Sequence, residues 1–291
     1  MKFAYLIIAH TEPDMLKALL RCLDDERNDI FLHIDAKSPM QYEDFQAILR
    51  RSKLTVMPRM DIQWGGFSLI QLEMDFLDMA LKQGPYDYFH LLSGQDLPIK
   101  TQDEIHAFFE AHNGTEFVSI EEGKTKSPSV QWRYRYYHWL KEFYGRKKGL
   151  LGRAEDALIF LQKPFVRRDR NCVYGGGHQW FSITGAFAEY AAAHRAWINK
   201  RFHFTYCCDE IFLQTLLLQS PFREKLNRAS DMPGCLQCAR LIDWVRGGPY
   251  TFTIDDLDMI LASPAMFARK LSMANSPCRK LTEALEARIT Q

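Results

Sequence analysis

The first 120 residues alternate continuous apolar runs with amphipathic stretches, and this alternation limits the fold more than any other feature of the sequence. Helical spacing is clearest in Leu16, Leu19, Leu20 and Leu23, which follow the first apolar run. The runs themselves, typical of strands buried on both faces, read FAYLIIA, DIFLHID, KLTVMP, YDYFHLLSG and TEFVSI. Such an alternation predicts an α/β fold with a parallel sheet and helices on both faces.

The pattern returns after residue 173. GGGHQWFSIT predicts a glycine-rich turn into a strand, and GAFAEYAAAHRAWI predicts a helix. CDEIFLQTLLLQ predicts a second helix with Asp209 and Glu210 in its opening turn. RLIDWVRGG and YTFT are predicted to be extended, and IDDLDMILAS and AMFARKLS to be helical. In the first half of the chain, YEDFQAILRR is also predicted to be a helix.

Residues 121–172 interrupt the alternation with dense Lys and Arg, in KTKSPS, GRKKG and RRDR, among Trp and Tyr side chains. Three interpretations stay open: nucleic-acid binding, stacking of aromatic rings on sugars, or a solvated basic face over an aromatic core. The formal net charge of the chain is only +1, which argues against a nucleic-acid partner. We expect an irregular, partly helical insert.

Composition restricts the remaining function classes. The 291 residues contain no apolar stretch approaching the roughly 18 residues of a membrane span. The seven cysteines are an odd number, which fits a reducing compartment, and a cytoplasmic location is predicted. Cys235 and Cys238 have CxxC spacing without a second pair, so we expect unpaired thiols at a packed turn. Dinucleotide, P-loop, nucleophile-elbow and HExxH motifs are absent from the sequence.

Polar residues follow three of the predicted strands. His10 follows LIIA, Asp35 and Lys37 follow IFLHI, and Asp96 follows FHLLSG. Because the carboxyl ends of parallel strands meet at one edge of a sheet, we expect these four side chains to share a cleft. From its position alone, Asp96 is a metal ligand, a group that holds a ligand, or the cap of the next helix.

Several segments, in order, resemble one family. They are LIIAHTEPDMLKALL, IFLHIDAKS, IQWGGFSLIQ, HLLSGQDLPIKT, GGGHQWFSIT, CCDEIFLQTLL, RLIDWVRGG and MFARK. Together they resemble the core-2/I-branching β-1,6-N-acetylglucosaminyltransferases and the related peptide O-xylosyltransferases, from about residue 3 to residue 271. The resemblance implies one GT-A-type domain over 1–291, built on a Rossmann-like, mostly parallel sheet with helices on both faces. It would comprise a nucleotide-binding half (1–120), the basic and aromatic insert (121–172) and an acceptor and catalytic half (173–291).

The resemblance also implies a UDP-sugar donor, inversion at the anomeric carbon and no metal or other cofactor. Asp256 and Asp258 have DxD spacing but lie in a predicted helix. Without a divalent ion, cationic side chains must neutralise the departing diphosphate. The family's lysine corresponds to Lys270, and its second cation to Arg246 across a one-residue gap. Arg240 and Arg269 are possible substitutes for Arg246.

The resemblance assigns further residues. The catalytic base corresponds to Glu210, with Asp209 beside it, although carboxylates in a first helical turn also stabilise a helix without any catalysis. Asp96 holds either the donor sugar or its own loop. The nucleotide pocket corresponds to Ile8, Asp35 and Trp64, with His10 at the same strand end. The acceptor side corresponds to Gln179, Trp180 and Trp244.

The resulting hypothesis is an inverting, metal-independent transferase that moves a sugar, N-acetylglucosamine by preference, from a UDP-sugar to a glycan hydroxyl. Two alternatives stay open: a xylosyltransferase-like or other UDP-hexose β-transferase of the same fold, and a nucleotide-sugar-binding protein without turnover. We further expect polysaccharide biosynthesis at the cytoplasmic face of a membrane. The acceptor is then lipid-linked, and the basic insert contacts the anionic membrane surface.

Overall fold

A computed structural model describes residues 1–121, 123–146, 149–166, 168, 172–227 and 234–290. Its centre is a six-stranded sheet in the order β3-β2-β1-β4-β7-β6. The strands of this sheet are β1 (Phe3–Ala9), β2 (Asn28–Ile34), β3 (Lys53–Val56), β4 (Tyr88–Ser93), β6 (Phe117–Val118) and β7 (Phe181–Thr184). A smaller sheet, in the order β5-β9-β8, consists of β5 (Asp96–Pro98), β8 (Arg240–Ile242) and β9 (Phe267–Arg269).

The four strands β3, β2, β1 and β4 are parallel, as the alternation predicts. β7 joins β4 in the antiparallel direction, and β6 pairs with β7, so the sheet is mixed at one edge. Every residue of β2 is buried, and β1 is almost entirely buried, because both strands are covered by helices on both faces. The continuous apolar character of these strands has this physical cause.

Two apolar cores lie on opposite faces of the sheet. One packs α1 (Pro13–Leu23), α4 (Gln102–Ala111) and α13 (Ser276–Ile289) against it, and the other packs α3 (Ser68–Gln83), α8 (Gly185–Ala193) and α10 (Phe212–Leu218). The remaining α-helices are α2 (Glu43–Gln46), α5 (Pro128–Arg135), α6 (Lys141–Tyr144), α7 (Gly149–Gln162), α9 (Arg195–Phe202), α11 (Gly234–Gln237) and α12 (Leu257–Ala262). The prediction of helices on both faces is confirmed.

Three local predictions are wrong. AMFARKLS is not a helix but contains β9, because Phe267 and Ala268 are fully buried and their backbone pairs with both β5 and β8. YEDFQAILRR is helical only in α2, and YTFT is irregular. Tertiary pairing outweighs local propensity in β9 and at its two flanks, where Met266, Ala268 and Lys270 would favour a helix.

The described residues contain no helix that is both long and apolar enough to cross a membrane. All seven cysteines are unpaired. Cys235 and Cys238 are buried, and the Cys238 thiol donates to the carbonyl of Cys235 at 3.0 Å. The CxxC spacing therefore belongs to the packed turn around α11.

Candidate functional site

The carboxyl ends of β1, β2 and β4 meet at one edge of the sheet. The amide of Asp35 donates to the carbonyl of Ala9 at 2.9 Å, and the amide of Gly94 donates to the carbonyl of Ile8 at 2.9 Å. A Cβ on Gly94 would lie 3.1 Å from that of Ala9, so this close approach favours glycine. His10, which follows β1, is exposed at the same edge.

Asp35 is buried and holds the chain that follows its own strand. Its carboxylate accepts from the amide of Lys37 at 2.8 Å and from the amide of Ile62 at 3.3 Å. The Lys37 ammonium binds Asp61 and the carbonyl of Ile62, the latter at 2.8 Å, and lies 3.7 Å from the Asp35 carboxylate. Asp35 thus ties β2 to the segment that carries Trp64.

Glu12, which the sequence analysis missed, clamps the strand ends to the smaller sheet. It has a left-handed backbone with φ of 54°, which is rare for a residue other than glycine. Its carboxylate accepts from the Ser272 hydroxyl at 2.7 Å, from the Met273 amide at 2.8 Å and from the side chain of Gln95. The chain around Lys270 is thereby fixed beside β1 and β4.

Asp96 is buried, and both of its carboxylate oxygens are occupied. It accepts from the Ser93 amide at 2.8 Å, from the Ser93 hydroxyl at 2.9 Å and from the Arg269 guanidinium at 2.7 Å. The same guanidinium lies 4.3 Å from the ring centre of Trp180. These contacts place Asp96 where it holds the loop after β4 and joins it to β9.

Lys270 directly follows β9 and is half-buried. Among the described residues it has no ion-pair partner. Partial burial, followed by the charges of Arg269 and Arg146, lowers the pKa of Lys270, and the charge of Glu12 opposes this shift. An ammonium without a carboxylate partner is suited to bind a negatively charged group.

His10 responds to the same cations. Partial desolvation lowers the pKa of His10, as do the charges of Lys270, Arg269 and Arg146, whereas Asp35 opposes the shift. Arg146 also lies with its guanidinium 4.9 Å from the ring centre of Trp64, which is 45% exposed. We call this group of cations, Lys270, Arg269 and Arg146, with the neighbouring His10 and Trp64, the cation end of the site.

Glu210 lies in a 3-10 turn over residues 208–210, just before α10 rather than within it. Its side chain accepts from Arg133 at 2.8 Å, and Lys124 is 3.9 Å away. The N-cap residue of α10 is Ile211, and no side chain there accepts a hydrogen bond from the first turn of the helix. Glu210 is therefore not the N-cap of α10. One third of the Glu210 side chain is exposed, at 34%, which leaves it accessible to a substrate.

Gly177 allows the turn around Glu210 to pack closely against neighbouring segments. The amide of Gly177 donates to the carbonyl of Glu210 at 3.0 Å. A Cβ on Gly177 would lie 1.8 Å from the carbonyl oxygen of Ser119, which no larger residue could tolerate. The glycine-rich turn before β7 therefore allows three segments to approach each other around Glu210.

A polar wall extends from Glu210 toward Trp244. Lys124 donates to Glu121 and to the carbonyl of Gly177, both at 3.0 Å. Glu121 lies 3.5 Å from His178, whose ring stacks on the indole of Trp244 at 5.5 Å between ring centres. Trp244 is 47% exposed, so its free surface faces solvent near the carboxylates.

Behind Glu210 lie the buried Glu73 and the partly exposed Asp209. Gln179 donates to Glu73 Oε1 at 2.8 Å, while Glu73 Oε2 and Asp209 Oδ1 are buried without hydrogen-bond partners among the described residues. Burial, and next the charge of Glu210, raises the pKa of Asp209 to about 7. Burial raises the pKa of Glu73 well above its usual range, which Gln179 opposes. Glu210, Asp209, Glu73 and Glu121 form the carboxylate end.

Aromatic and cationic contacts connect the two ends. Trp64 meets the edge of Tyr206 at 6.0 Å between ring centres, and the Arg133 guanidinium lies 5.8 Å from the Tyr206 ring centre. Because Arg146 stacks on Trp64 and Arg133 binds Glu210, the contacts run continuously from one end to the other. Arg133 and Arg146 come from the insert; Arg146 belongs to the basic run GRKKG, whereas Arg133 lies in the aromatic stretch QWRYRYY.

The remaining predicted arginines have different positions. Arg246 is exposed, pairs with Asp243 at 2.5 Å and with Asp256 at 2.7 Å, and lies 4.0 Å from the ring centre of Tyr250. The Tyr250 carbonyl accepts from the amide of Lys270 at 3.4 Å, which brings Arg246 near the cation end.

Arg240 is completely buried in the core. It donates to the carbonyl of Phe181 and the hydroxyl of Ser182, both at 2.7 Å. Its guanidinium therefore supports β7 and β8 and does not reach a diphosphate. Asp256 is also occupied, by Arg246 and by the cap at Thr253, and the described residues contain no cluster of three potential metal ligands.

Comparisons with known proteins identify relatives over most of the chain. Xylosyltransferase 2 from Rattus norvegicus is 25% identical over 289 residues, covering 92% of this chain and 32% of the relative. Xylosyltransferase 1 from Homo sapiens is 25% identical over 296 residues, covering 92% and 28% respectively. The chain thus spans about a third of the length of these curated relatives.

Among solved structures, TarS from S. aureus aligns with a TM-score of 0.30 and 15% identity, over 47% of this chain and 25% of that chain. A TM-score this low does not establish a shared fold. The model of the family described as Core-2/I-Branching enzyme matches residues 3–261. The observed sheet, with its four parallel strands and helices on both faces, confirms the predicted mostly parallel α/β fold. The chain belongs to the core-2/I-branching enzyme family.

Proposed function

We propose that this protein is an inverting glycosyltransferase that moves a sugar from a UDP-sugar to a glycan hydroxyl. The observation that carries the proposal is the continuous set of contacts from Arg146, through Trp64, Tyr206 and Arg133, to Glu210. Lys270 lies near enough to Arg146 for the charge of Arg146 to lower its pKa. A direct displacement requires a positive group at the leaving diphosphate and a base at the attacking hydroxyl. The two ends supply one each.

At the cation end, Lys270 and Arg146 would stabilise the negative charge that develops on the departing UDP. Ion pairs to phosphate oxygens strengthen as the glycosidic bond breaks, and they perform the role that a divalent ion has in other enzymes. Arg246 is the third candidate. Its guanidinium is paired with Asp243 and Asp256, so it would have to release one of these carboxylates in order to bind the diphosphate. We therefore propose transfer without a metal or other cofactor.

The nucleotide base would stack against Trp64, beside Ile8, His10 and Asp35 at the ends of β1 and β2. An exposed indole next to a strand end offers a flat apolar surface for uracil. Asp96 would act indirectly, because its carboxylate is already bound to Ser93 and Arg269. It keeps the loop after β4 beside the donor sugar.

At the carboxylate end, Glu210 would take the proton of the acceptor hydroxyl as the new bond forms. Arg133 orients the carboxylate, and Trp244 offers an indole face for the apolar C–H surface of an acceptor sugar. Gln179 donates to the buried Glu73 of this end, whereas Trp180 is 7% exposed and packs on Arg269 of the cation end. Asp209 adds an acid whose proton state responds to Glu210.

We propose N-acetylglucosamine as the donor sugar, in keeping with the branching-enzyme family. Xylose is the second candidate, and the names of the curated relatives favour it. The acceptor in this proposal is a lipid-linked glycan of polysaccharide biosynthesis, handled on the cytoplasmic side of a membrane. Few side chains distinguish one UDP-sugar from another, so the donor has to be identified by experiment.

The test is release of UDP from a panel of UDP-sugars, namely N-acetylglucosamine, xylose, glucose and galactose, with and without EDTA. Proton NMR of the released sugar reports the anomeric configuration. We expect one preferred donor, β-configured product and a rate unchanged by EDTA. Tight UDP binding with no UDP release from any donor would show a binding protein without turnover. Strong inhibition by EDTA would contradict the proposed role of Lys270 and Arg146.

A further inference from the structure

Helix α7 has an inverted distribution of side chains. Its buried positions include Glu155 and Gln162, which bind the backbone of the preceding segment. Glu155 accepts from the amide of Leu140 at 2.6 Å, and Gln162 exchanges two hydrogen bonds with Tyr137, at 2.7 and 2.9 Å. Polar contacts therefore hold the inner face of α7, where an ordinary surface helix has its apolar stripe.

The outer side of this region is apolar. Of the thirteen large apolar side chains that are exposed in the described part of the chain, seven lie between residues 139 and 165. We define the α7 surface by five of them, which are between 66% and 85% exposed: Phe143, Leu150, Phe160, Leu161 and Phe165. Leu150, Ala154, Ala157 and Leu161 follow each other at helical spacing, so one stripe of α7 faces solvent with no polar side chain. Apolar patches of this density mark interaction sites.

Basic residues surround the α7 surface. The segment 139–170 contains nine Lys and Arg against four Asp and Glu, whereas the whole chain has a net charge of +1. Arg146, Arg153 and Lys163 are exposed, and the ammonium of Lys163 lies 5.4 Å from the ring centre of Phe160. Lys147, Lys148, Arg167, Asp169 and Arg170, from the runs GRKKG and RRDR, lie outside the described residues.

We propose that the α7 surface binds an anionic lipid bilayer, with its apolar side chains inserted among the acyl chains and its basic residues at the headgroups. An apolar stripe with flanking Lys and Arg is the arrangement by which helices lie in the membrane interface. A second copy of this chain fits less well. A symmetric contact would place the same basic residues of two copies against each other.

The α7 surface is continuous with the candidate site. Glu142 of α6 binds the amide of Ser68 at 3.1 Å, at the start of α3, and Arg146, between α6 and α7, stacks on Trp64. Docking through α7 would therefore hold the cleft next to the bilayer, where a lipid-linked acceptor is located. The binding itself does not depend on the proposed transfer reaction, so the two can fail separately.

The test is cosedimentation of the full chain with vesicles of phosphatidylcholine alone and with about 30% phosphatidylglycerol. We expect binding to the anionic vesicles, weakened by salt, and little binding to the neutral ones. The triple variant Leu150→Ser, Phe160→Ser and Leu161→Ser should bind roughly tenfold less. The control is Val56→Ser with Val245→Ser and Met259→Ser, which removes exposed apolar side chains elsewhere and should bind as the wild type does.

A second variant, Arg153→Glu with Lys163→Glu, keeps the apolar stripe and should lose the preference for anionic vesicles. Circular dichroism checks that each variant is folded, and light scattering reports the oligomeric state. The proposal is overturned if the wild type does not bind the anionic vesicles, or if the serine variant binds them equally well. A dimer that the same serine substitutions dissociate would assign the α7 surface to a second copy instead.

Discussion

At the cation end of the cleft, the carboxylates are already bound, whereas at the carboxylate end the buried carboxylate oxygens outnumber their partners. Asp96 is bound by Ser93 and Arg269, and Lys270 is left without an ion-pair partner among the described residues. Glu73 Oε2 and Asp209 Oδ1, in contrast, are buried and unpaired within the described part of the chain. One end is therefore prepared to receive negative charge, and the other to exchange a proton.

The largest expected effect is at the carboxylate end. Glu210→Gln removes the proposed base and keeps the size of the side chain, so transfer should fall about 10³-fold. The control Asp258→Asn changes an exposed acid with DxD spacing and should leave the rate unchanged. Steady-state UDP release measures both. Normal turnover in Glu210→Gln would remove the base from this end, and a large loss in Asp258→Asn would reopen a metal role.

The cation end should show its largest effect in stability. Asp96→Asn leaves the guanidinium of Arg269, whose side chain is only 17% exposed, without its carboxylate partner. This should lower the free energy of unfolding by about 3 kcal/mol. Asp103→Asn breaks the ion pair of an 89% exposed side chain with Arg27, so a loss under about 1 kcal/mol is expected. Urea unfolding measures both. Equal losses would mean that the buried pair is not what holds the loop after β4.

The two exposed tryptophans distinguish the ends by ligand. Trp64→Ala should weaken UDP binding by about tenfold, because a stacked base is worth roughly 1–3 kcal/mol. Trp244→Ala, which removes an indole of nearly equal exposure at the carboxylate end, should leave UDP affinity unchanged. Calorimetric titration with UDP makes the comparison. If Trp244→Ala weakened UDP binding as much as Trp64→Ala, the two ends would not have separate ligands.

The smallest effect concerns Asp209, whose pKa burial and Glu210 raise to about 7. The folded protein then holds the Asp209 proton more tightly than the unfolded chain, so stability falls as the pH rises from about 4 to 7. Asp209→Asn should lack this part of the decline, a difference of about 1 kcal/mol because neighbouring acids share the titration. Urea unfolding at several pH values between 4 and 8 tests it, and parallel curves would show that Asp209 is ionised throughout.

The two ends also differ in how far the sequence predicts them. His10, Asp35 and Asp96 follow parallel strands, so the topology alone places them at one edge of the sheet. Arg133 and Lys124 reach Glu210 from the insert, more than 70 residues away in the chain, and no local pattern encodes such contacts. The outward apolar stripe of α7 was likewise missed, because Glu155 and Gln162 occupy positions that hydropathy alone would expose.

β9 and Glu12 show the same limit at the cation end. The segment that carries Lys270 has helical propensity, yet β5 and β8 on either side of β9 make it extended. The left-handed backbone of Glu12 depends on its contacts with Ser272 and Met273, which are about 260 residues distant. The resemblance to a family identified Lys270, and the tertiary contacts determine what surrounds it.

If the diphosphate is bound at one end of the cleft and the proton is removed at the other, UDP affinity should depend on the first end and not on the second. Calorimetric titration would compare Lys270→Ala, Glu210→Gln and the control Lys37→Ala, whose ammonium is already bound to Asp61. We predict about tenfold weaker UDP binding or more for Lys270→Ala only, because it alone loses a charge-assisted contact with the diphosphate. Unchanged affinity in Lys270→Ala, or an equal loss in Glu210→Gln, would contradict the division of the cleft into two ends.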